Sequence, residues 1–219
     1  MSKPTVTIDV VSDVVCPWCY LGKHRLERAV AEVPEIEVAI RWRPFQLDPS
    51  VPPEGMSRHD YIVQKSGSAK ALDDGHKRLT EYGREVGIAY DFDAITRSAN
   101  TIDAHRLVRW AGAAGKETEV VERLFAAYFS QGRDIGDRAV LAEIAGEAGL
   151  DANDIAARLA GDEDREGVMA EIQEAYQIGV TGVPCFILDR RYGVMGAQSV
   201  EALVAAIRQT AEKQKESAA

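Results

Sequence analysis

Apolar and polar positions alternate with a period of two at the start of the chain. In TVTIDVV, residues 5–11, that alternation and the β-branched side chains predict a strand. From Pro17 the period lengthens. Leu21, Leu26, Ala29, Val30 and Val33 recur at near-helical spacing, and the pattern stops before Pro34. IEVAIRWRPF returns to alternation, with Val38, Ile40 and Trp42 on one side, Arg41 and Arg43 on the other, and Pro44 ending the ladder. The proline-dense loop QLDPSVPPEG then marks a change of subdomain.

From about Ser57 to Gly161 nearly everything carries a helical pattern, broken by short Gly- and Asp-containing segments. Asp137 and Asp151 stand where N-caps belong, and Gly149 lies near a helix end. No fixed-period repeat links these helices, which argues against a solenoid. DREGVMAEIQEAYQIG then predicts a helix, PCFILD a strand, RYGVMGA a second short strand, and SVEALVAAIRQTAEK an amphipathic helix capped by Ser199. The order β-α-β, helical block, α-β-β-α predicts an α/β fold in which a three-layer unit carries an inserted all-helical domain. Residues 1–50 and 162–219 form the first unit, and residues 51–161 the insertion.

Charge narrows the partners. Across 219 residues, 26 Lys and Arg face 35 Asp and Glu, giving a net charge of −9. A general nucleic-acid binder needs a concentrated basic face, so this balance argues against one, and equally against an anionic membrane surface. No apolar run approaches the ~18 residues of a spanning helix. The apolar stretch near the N-terminus is interrupted by Asp9 and Asp13 and lacks the h-region and cleavage site of a signal peptide, so a cytoplasmic location is expected. Three cysteines do not make a disulfide framework. In a reducing compartment, a close pair points to catalysis or metal binding.

That pair is Cys16 and Cys19 in VVCPWCYLGK, at the junction of the first strand and helix. Pro17 suits the first helical turn, since its missing N–H needs no partner there. Cys16 therefore falls at the helix N-terminus, where unpaired N–H groups and the helix dipole favour a thiolate. Cys16 reads as the nucleophile, and Cys19, one turn deeper, as the resolving thiol of thiol–disulfide exchange. Two buried structural cysteines and half of a zinc site are the competing readings. Zinc usually takes four ligands, whereas this chain offers one pair, Cys185 and four scattered histidines, so no metal is expected.

A second signal lies in IGVTGVPCFILD. A proline before an apolar strand and after Gly-Val suggests a Val183–Pro184 bond held cis, the alternative being a trans proline that opens an edge strand. Together the two signals match the thioredoxin superfamily, and the helical block between them resembles the DsbA family. DVVCPWCYLGKHRLE, WRPFQLDP, NTIDAHRL, LFAAYFSQGRDIGD and GVTGVPCFILDRRYGVMGAQ are similar to its FrnE-like branch, over nearly the whole chain. The resemblance implies a thioredoxin-like domain with an inserted helical domain and a dithiol–disulfide oxidoreductase or isomerase. In it Cys16 attacks, Cys19 resolves, and Pro184 abuts the disulfide and shapes the substrate site, with Pro17, Trp18 and Val183 beside it. It also turns the helix bearing Asn100 and His105 toward the active site, making both candidate substrate-side residues, although packing or capping explains them equally well.

Two positions depart from the family pattern. The motif carries Pro17-Trp18 where DsbA oxidants carry a histidine, and tryptophan supplies no cation to a thiolate, so a less oxidising pair is expected. Cys185 stands where a bulky apolar residue is expected. It reads either as a partner for Cys16 and the substrate or as a small buried strand residue. His24, flanked by Lys23 and Arg25, reads as solvated, and His59 and His76 as surface positions. Trp42 and Phe45 read as core or cleft lining, and the acids of GDEDREG as a solvated helix start.

The expected cycle needs no bound cofactor. Cys16 attacks a disulfide in a protein or a small thiol compound, Cys19 resolves it, and glutathione or another thiol reductant restores the dithiol, with glutathione as co-substrate. In a reducing cytosol the net direction is reduction or isomerisation. The rival is a glutathione-dependent transferase or isomerase of the kappa or 2-hydroxychromene-2-carboxylate isomerase type, which shares the architecture but uses a serine in place of Cys16. A third reading is a chaperone or binding module whose dithiol only senses oxidation.

Overall fold

The computed structural model describes residues 3–65 and 69–218, so Met1 and Ser2 of the N-terminal reading lie outside it. The chain begins β1 (Thr5–Ser12), α1 (Pro17–Ala31), β2 (Glu37–Pro44). After an excursion through residues 45–164 it ends α8 (Arg165–Gln177), β5 (Cys185–Leu188), β6 (Tyr192–Met195), α9 (Val200–Ala218). The excursion holds β3 (Met56–Ser57), α2 (Arg58–Lys65), α3 (Ala69–Val86), β4 (Arg97–Ser98), α4 (Ile102–Ala113), α5 (Glu117–Phe129), α6 (Arg138–Glu147) and α7 (Ala152–Ala160).

The four-stranded sheet runs β2-β1-β5-β6. β1 and β2 are parallel, which requires a crossover, and α1 supplies it. β5 runs antiparallel to β1, opposing Cys185 to Val11, and β6 folds back on β5. Asp189 and Arg190, both at positive φ, make the tight reversal between β5 and β6. Asp189 fits there because its carboxylate also accepts the Thr7 N–H at 3.0 Å, pinning the hairpin to β1.

The period-two pattern sorts the sheet into two faces. Val6, Ile8, Val10, Phe186 and Leu188 join Leu21 and Leu26 of α1 and Leu203 and Ile207 of α9 in the main core. On the opposite face Val11 and Cys185 pack with Phe45, Ala175 and Val180, beneath α8. This is a thioredoxin-like fold with an inserted helical region.

Within the insertion, Asp137 and Asp151 cap α6 and α7 through side-chain bonds to backbone N–H groups. Gly149, at φ +82°, follows the end of α6. The helical pattern misses two features. β3 and β4 pair as a small antiparallel ladder, and residues 88–101 form an ordered non-helical connection. In that connection Tyr90 and Phe92 stack at 5.0 Å and meet Phe129 edge-on, so aromatic packing replaces helical hydrogen bonding.

Candidate active site

β1 ends in a turn that delivers Cys16 to α1. The Cys16 N–H donates to the Asp13 carbonyl at 3.0 Å, and Cys16 is the extended N-cap of α1, with Pro17 at the first helical position. The Val183–Pro184 peptide is cis, and the Cys16 thiol lies 3.7 Å from the Val183 carbonyl oxygen, which it faces as a donor. Gly22 makes this approach possible. A Cβ there would stand 2.9 Å from Pro184 Cγ and 3.2 Å from Phe186 Cζ, so α1 rests directly on the proline loop.

All three cysteines are free and buried. Burial first, then contact with the Cys16 sulfur, pushes the Cys19 thiol well above the ordinary range, against opposing contributions from the Ser12 hydroxyl and the Asp13 backbone. Cys19 therefore holds its proton beside Cys16. Cys185 belongs to the opposite face of the sheet, packed with Val11 and Phe45, and burial alone pushes its thiol up. The side-chain alternation of β5 separates it from the dithiol, whose core Phe186 joins instead.

The insertion closes over the start of α1. The Tyr90 hydroxyl donates to the Pro17 carbonyl at 2.6 Å. Tyr82 of α3 meets Trp18 with ring centroids 6.4 Å apart and lies under the Arg25 guanidinium. Tyr20 stacks on Phe125 and donates to Glu122 of α5. Sequence reasoning singled out none of these partners.

Asn100 and His105 are both anchors in the structure. Asn100 donates to the Val51 carbonyl and accepts the Ile102 N–H, ordering the entry to α4. His105 is buried, with Nε2 2.9 Å from the Phe45 carbonyl and 3.3 Å from Asp13 Oδ1, while Asp13 Oδ2 accepts the Leu47 N–H. His105 thus ties the turn before Cys16 to the segment after β2. A cavity of about 210 Å³ adjoins it at the edge of β2, lined by Ser12, Val14, Trp42, Glu117 and Glu171. Burial pushes Glu117 up to about 7, with repulsion from Glu171 adding to it and a Trp42 backbone bond opposing it.

Several surface assignments need correction. His24 is largely covered, 3.2 Å from both the Val86 carbonyl and Glu122, and neighbouring Lys23 is buried against Glu27 and Glu122. His76 stacks on Phe92 at 3.9 Å, and burial lowers its pKa, while His59 is exposed. In the acidic run before and at the start of α8, Asp162, Glu163 and Glu166 are exposed, in line with a solvated helix start, and Asp164 departs from it by accepting the Trp110 indole N–H and pairing with Arg109. The partners of His24, His76 and Asp164 lie on other elements, where local spacing gives no signal. Trp42 and Phe45 are core residues, and Trp42 also borders the cavity.

Similarity to known proteins fits this geometry. The model for the DSBA-like thioredoxin domain matches residues 7–208. The probable DsbA oxidoreductase SCO1869 from Streptomyces coelicolor is 33% identical, with TM-score 0.85, 94% of this chain and 89% of that one being covered. Two more distant structures share the fold. A 2-hydroxychromene-2-carboxylate isomerase is 18% identical with TM-score 0.71, and the cytosolic disulfide reductase DsbM from Pseudomonas aeruginosa, solved with GSH, is 21% identical with TM-score 0.60. Both comparisons cover 96% of this chain and 98% of the other. With a dithiol at a helix N-terminus against a proline loop, and a family match spanning the sheet and the insertion alike, the chain belongs to the DSBA-like thioredoxin domain family.

Proposed function

We propose that the protein is a dithiol–disulfide oxidoreductase working in the reducing direction, with glutathione as the thiol that restores it. The observation that carries this reading is the unequal pair. Cys16 caps the N-terminus of α1, where one backbone N–H has no partner among the described residues, while Cys19, buried against it, keeps its proton. In the cycle, the Cys16 thiolate attacks one sulfur of a substrate disulfide, the partner sulfur leaves as a thiolate, and a mixed disulfide remains. Cys19 then gives up its proton and attacks the Cys16 sulfur. The second substrate thiolate leaves and a Cys16–Cys19 disulfide forms. Two glutathione thiols reduce that bond and become glutathione disulfide, so the electrons balance.

The Pro17-Trp18 dipeptide supports the reducing direction, since it places no cation next to the thiolate. Placement in the FrnE-like branch, a cytoplasmic site of action, and a boundary at residues 51 and 161 for the inserted domain belong to the same reading. Pro17, Trp18, Val183 and Pro184 form its substrate-facing rim, and Cys185 takes no part in the exchange. The test is turnover of insulin disulfides with reduced glutathione. Catalysed reduction is expected. Ready oxidation of dithiol peptides with no insulin reduction overturns the direction.

A further inference from the structure

The first turn of α1 leaves one backbone donor without a partner. Pro17 has no N–H. The Cys19 and Tyr20 N–H groups both donate to the Cys16 carbonyl, at 3.0 and 3.3 Å. The Trp18 N–H has no acceptor among the described residues. An N-cap side chain normally accepts from the second or third helical N–H, and here only the second is available. In the thiol form Cys16 faces the Val183 carbonyl as a donor. A thiolate has no proton to donate; within its own turn the Cys19 thiol lies against it, and the backbone donor is the Trp18 N–H.

The other end of that same peptide unit is held from the insertion. The Tyr90 hydroxyl donates to the Pro17 carbonyl at 2.6 Å, and its ring is fixed by Phe92 in a stack and by Tyr20 edge-on. Space for the ring depends on Gly83, where a Cβ would stand 2.7 Å from two Tyr90 ring carbons. Burial first, then Tyr20 and the two active-site sulfurs, push the ionisation of Tyr90 far upward, so its hydroxyl stays a donor throughout the range in which a thiolate works. A hydrogen bond accepted by a peptide carbonyl strengthens the N–H of the same peptide as a donor, by about 10–30%.

We propose that Tyr90 is a positioning residue for the nucleophile: by holding the Pro17 carbonyl, it aims and polarises the Trp18 N–H at the Cys16 thiolate. The insertion thereby tunes the dithiol from a distance, through one peptide plane. This rests on Cys16 being the attacking sulfur.

The test follows alkylation of Cys16 by iodoacetamide across pH, with the adduct mapped by mass spectrometry on the full chain. In Y90F the ring stack remains and the hydroxyl is lost. Alkylation at pH 7 should slow about two- to threefold, the profile should move to higher pH, and the plateau reached at high pH should match the unmutated protein, as expected when one polarising bond is removed from a charge-assisted contact. G83A, which displaces the ring but keeps the hydroxyl, should move the profile in the same direction, and it carries the test if Y90F does not fold. Profiles superimposed on that of the unmutated protein overturn the proposal. The readout needs no disulfide turnover. A moved profile with no insulin reduction contradicts the oxidoreductase alone, and turnover with an unmoved profile contradicts Tyr90 alone.

Discussion

Lys23 of α1 and Glu122 of α5 meet at 2.7 Å across the seam between the thioredoxin-like core and the insertion, with 3% of the lysine side chain exposed. Glu122 also accepts from Tyr20 and faces His24, so one carboxylate collects three partners from adjacent turns of α1. Its position matters because the buried Lys23 ammonium has two counter-charges, Glu27 on its own helix and Glu122 across the seam.

Replacing Glu122 should loosen that seam in a pH-dependent way. Burial alone would push the carboxyl up, but His24 and Lys23 outweigh it and hold it at about 2, against 4.5 ordinarily. A lowered folded value means that the stabilisation is present above pH 4.5 and is lost as pH falls toward 2. E122Q should be about 1–2 kcal/mol less stable near neutral pH, a figure reduced for its partial exposure, with the difference closing in acid. Urea unfolding at pH 7 and pH 3 measures both.

Glu117 should show the opposite sign. Its folded value is raised from 4.5 to about 7 by burial, so stability is full below pH 4.5 and declines as pH rises through 7. In E117Q the amide oxygen keeps an acceptor for the Trp42 backbone while the charge is gone. The variant should melt about 2–4 °C higher at pH 8 and coincide with the unmutated protein near pH 4, as thermal scans in the two buffers will show.

Gly22 tests how tightly α1 rests on the proline loop. Alanine raises helix propensity by about 0.8–1 kcal/mol, but its Cβ falls 2.9 Å from Pro184 Cγ. Overpacking of this kind typically costs about 1–3 kcal/mol, so G22A should be destabilised overall and should react more slowly at Cys16. Stopped-flow reaction with a chromogenic disulfide reads the second effect. An unchanged rate would place the loop's influence elsewhere.

Cys185 should prove separable from the redox chemistry. It packs on the face opposite the dithiol, with Val11, Phe45, Ala175 and Val180. C185A should lose about 1 kcal/mol or less through the small cavity it leaves, while the midpoint of the Cys16–Cys19 couple in glutathione buffers stays unchanged.

Much of this architecture was legible from local pattern. The alternation of residues 5–11, the helical spacing after Pro17 and the apolar strand after Pro184 locate β1, α1 and β5, and the CPWC sequence locates the N-cap sulfur. Asp137 and Asp151 announced their helices because capping is local chemistry. What escaped was long-range. His24 read as solvated because Glu122 lies about a hundred positions away. Tyr90 sat in an apparent break between helices, and nothing near it pointed to Pro17. β3 and β4 are two residues each, too short for a period to register. The face occupied by Cys185 follows from its register with Val11, which only the paired sheet supplies.

A reversible Cys16–Cys19 couple is read out by equilibrating the protein in graded mixtures of reduced and oxidised glutathione. Thiols are trapped by alkylation at each ratio and mapped by mass spectrometry. The expected result is an internal Cys16–Cys19 disulfide that rises and falls along a single two-electron curve, with Cys185 alkylated throughout once the chain is unfolded for labelling. A stable glutathione adduct on Cys16 with no internal disulfide at any ratio would contradict it, and would assign the site to glutathione activation instead.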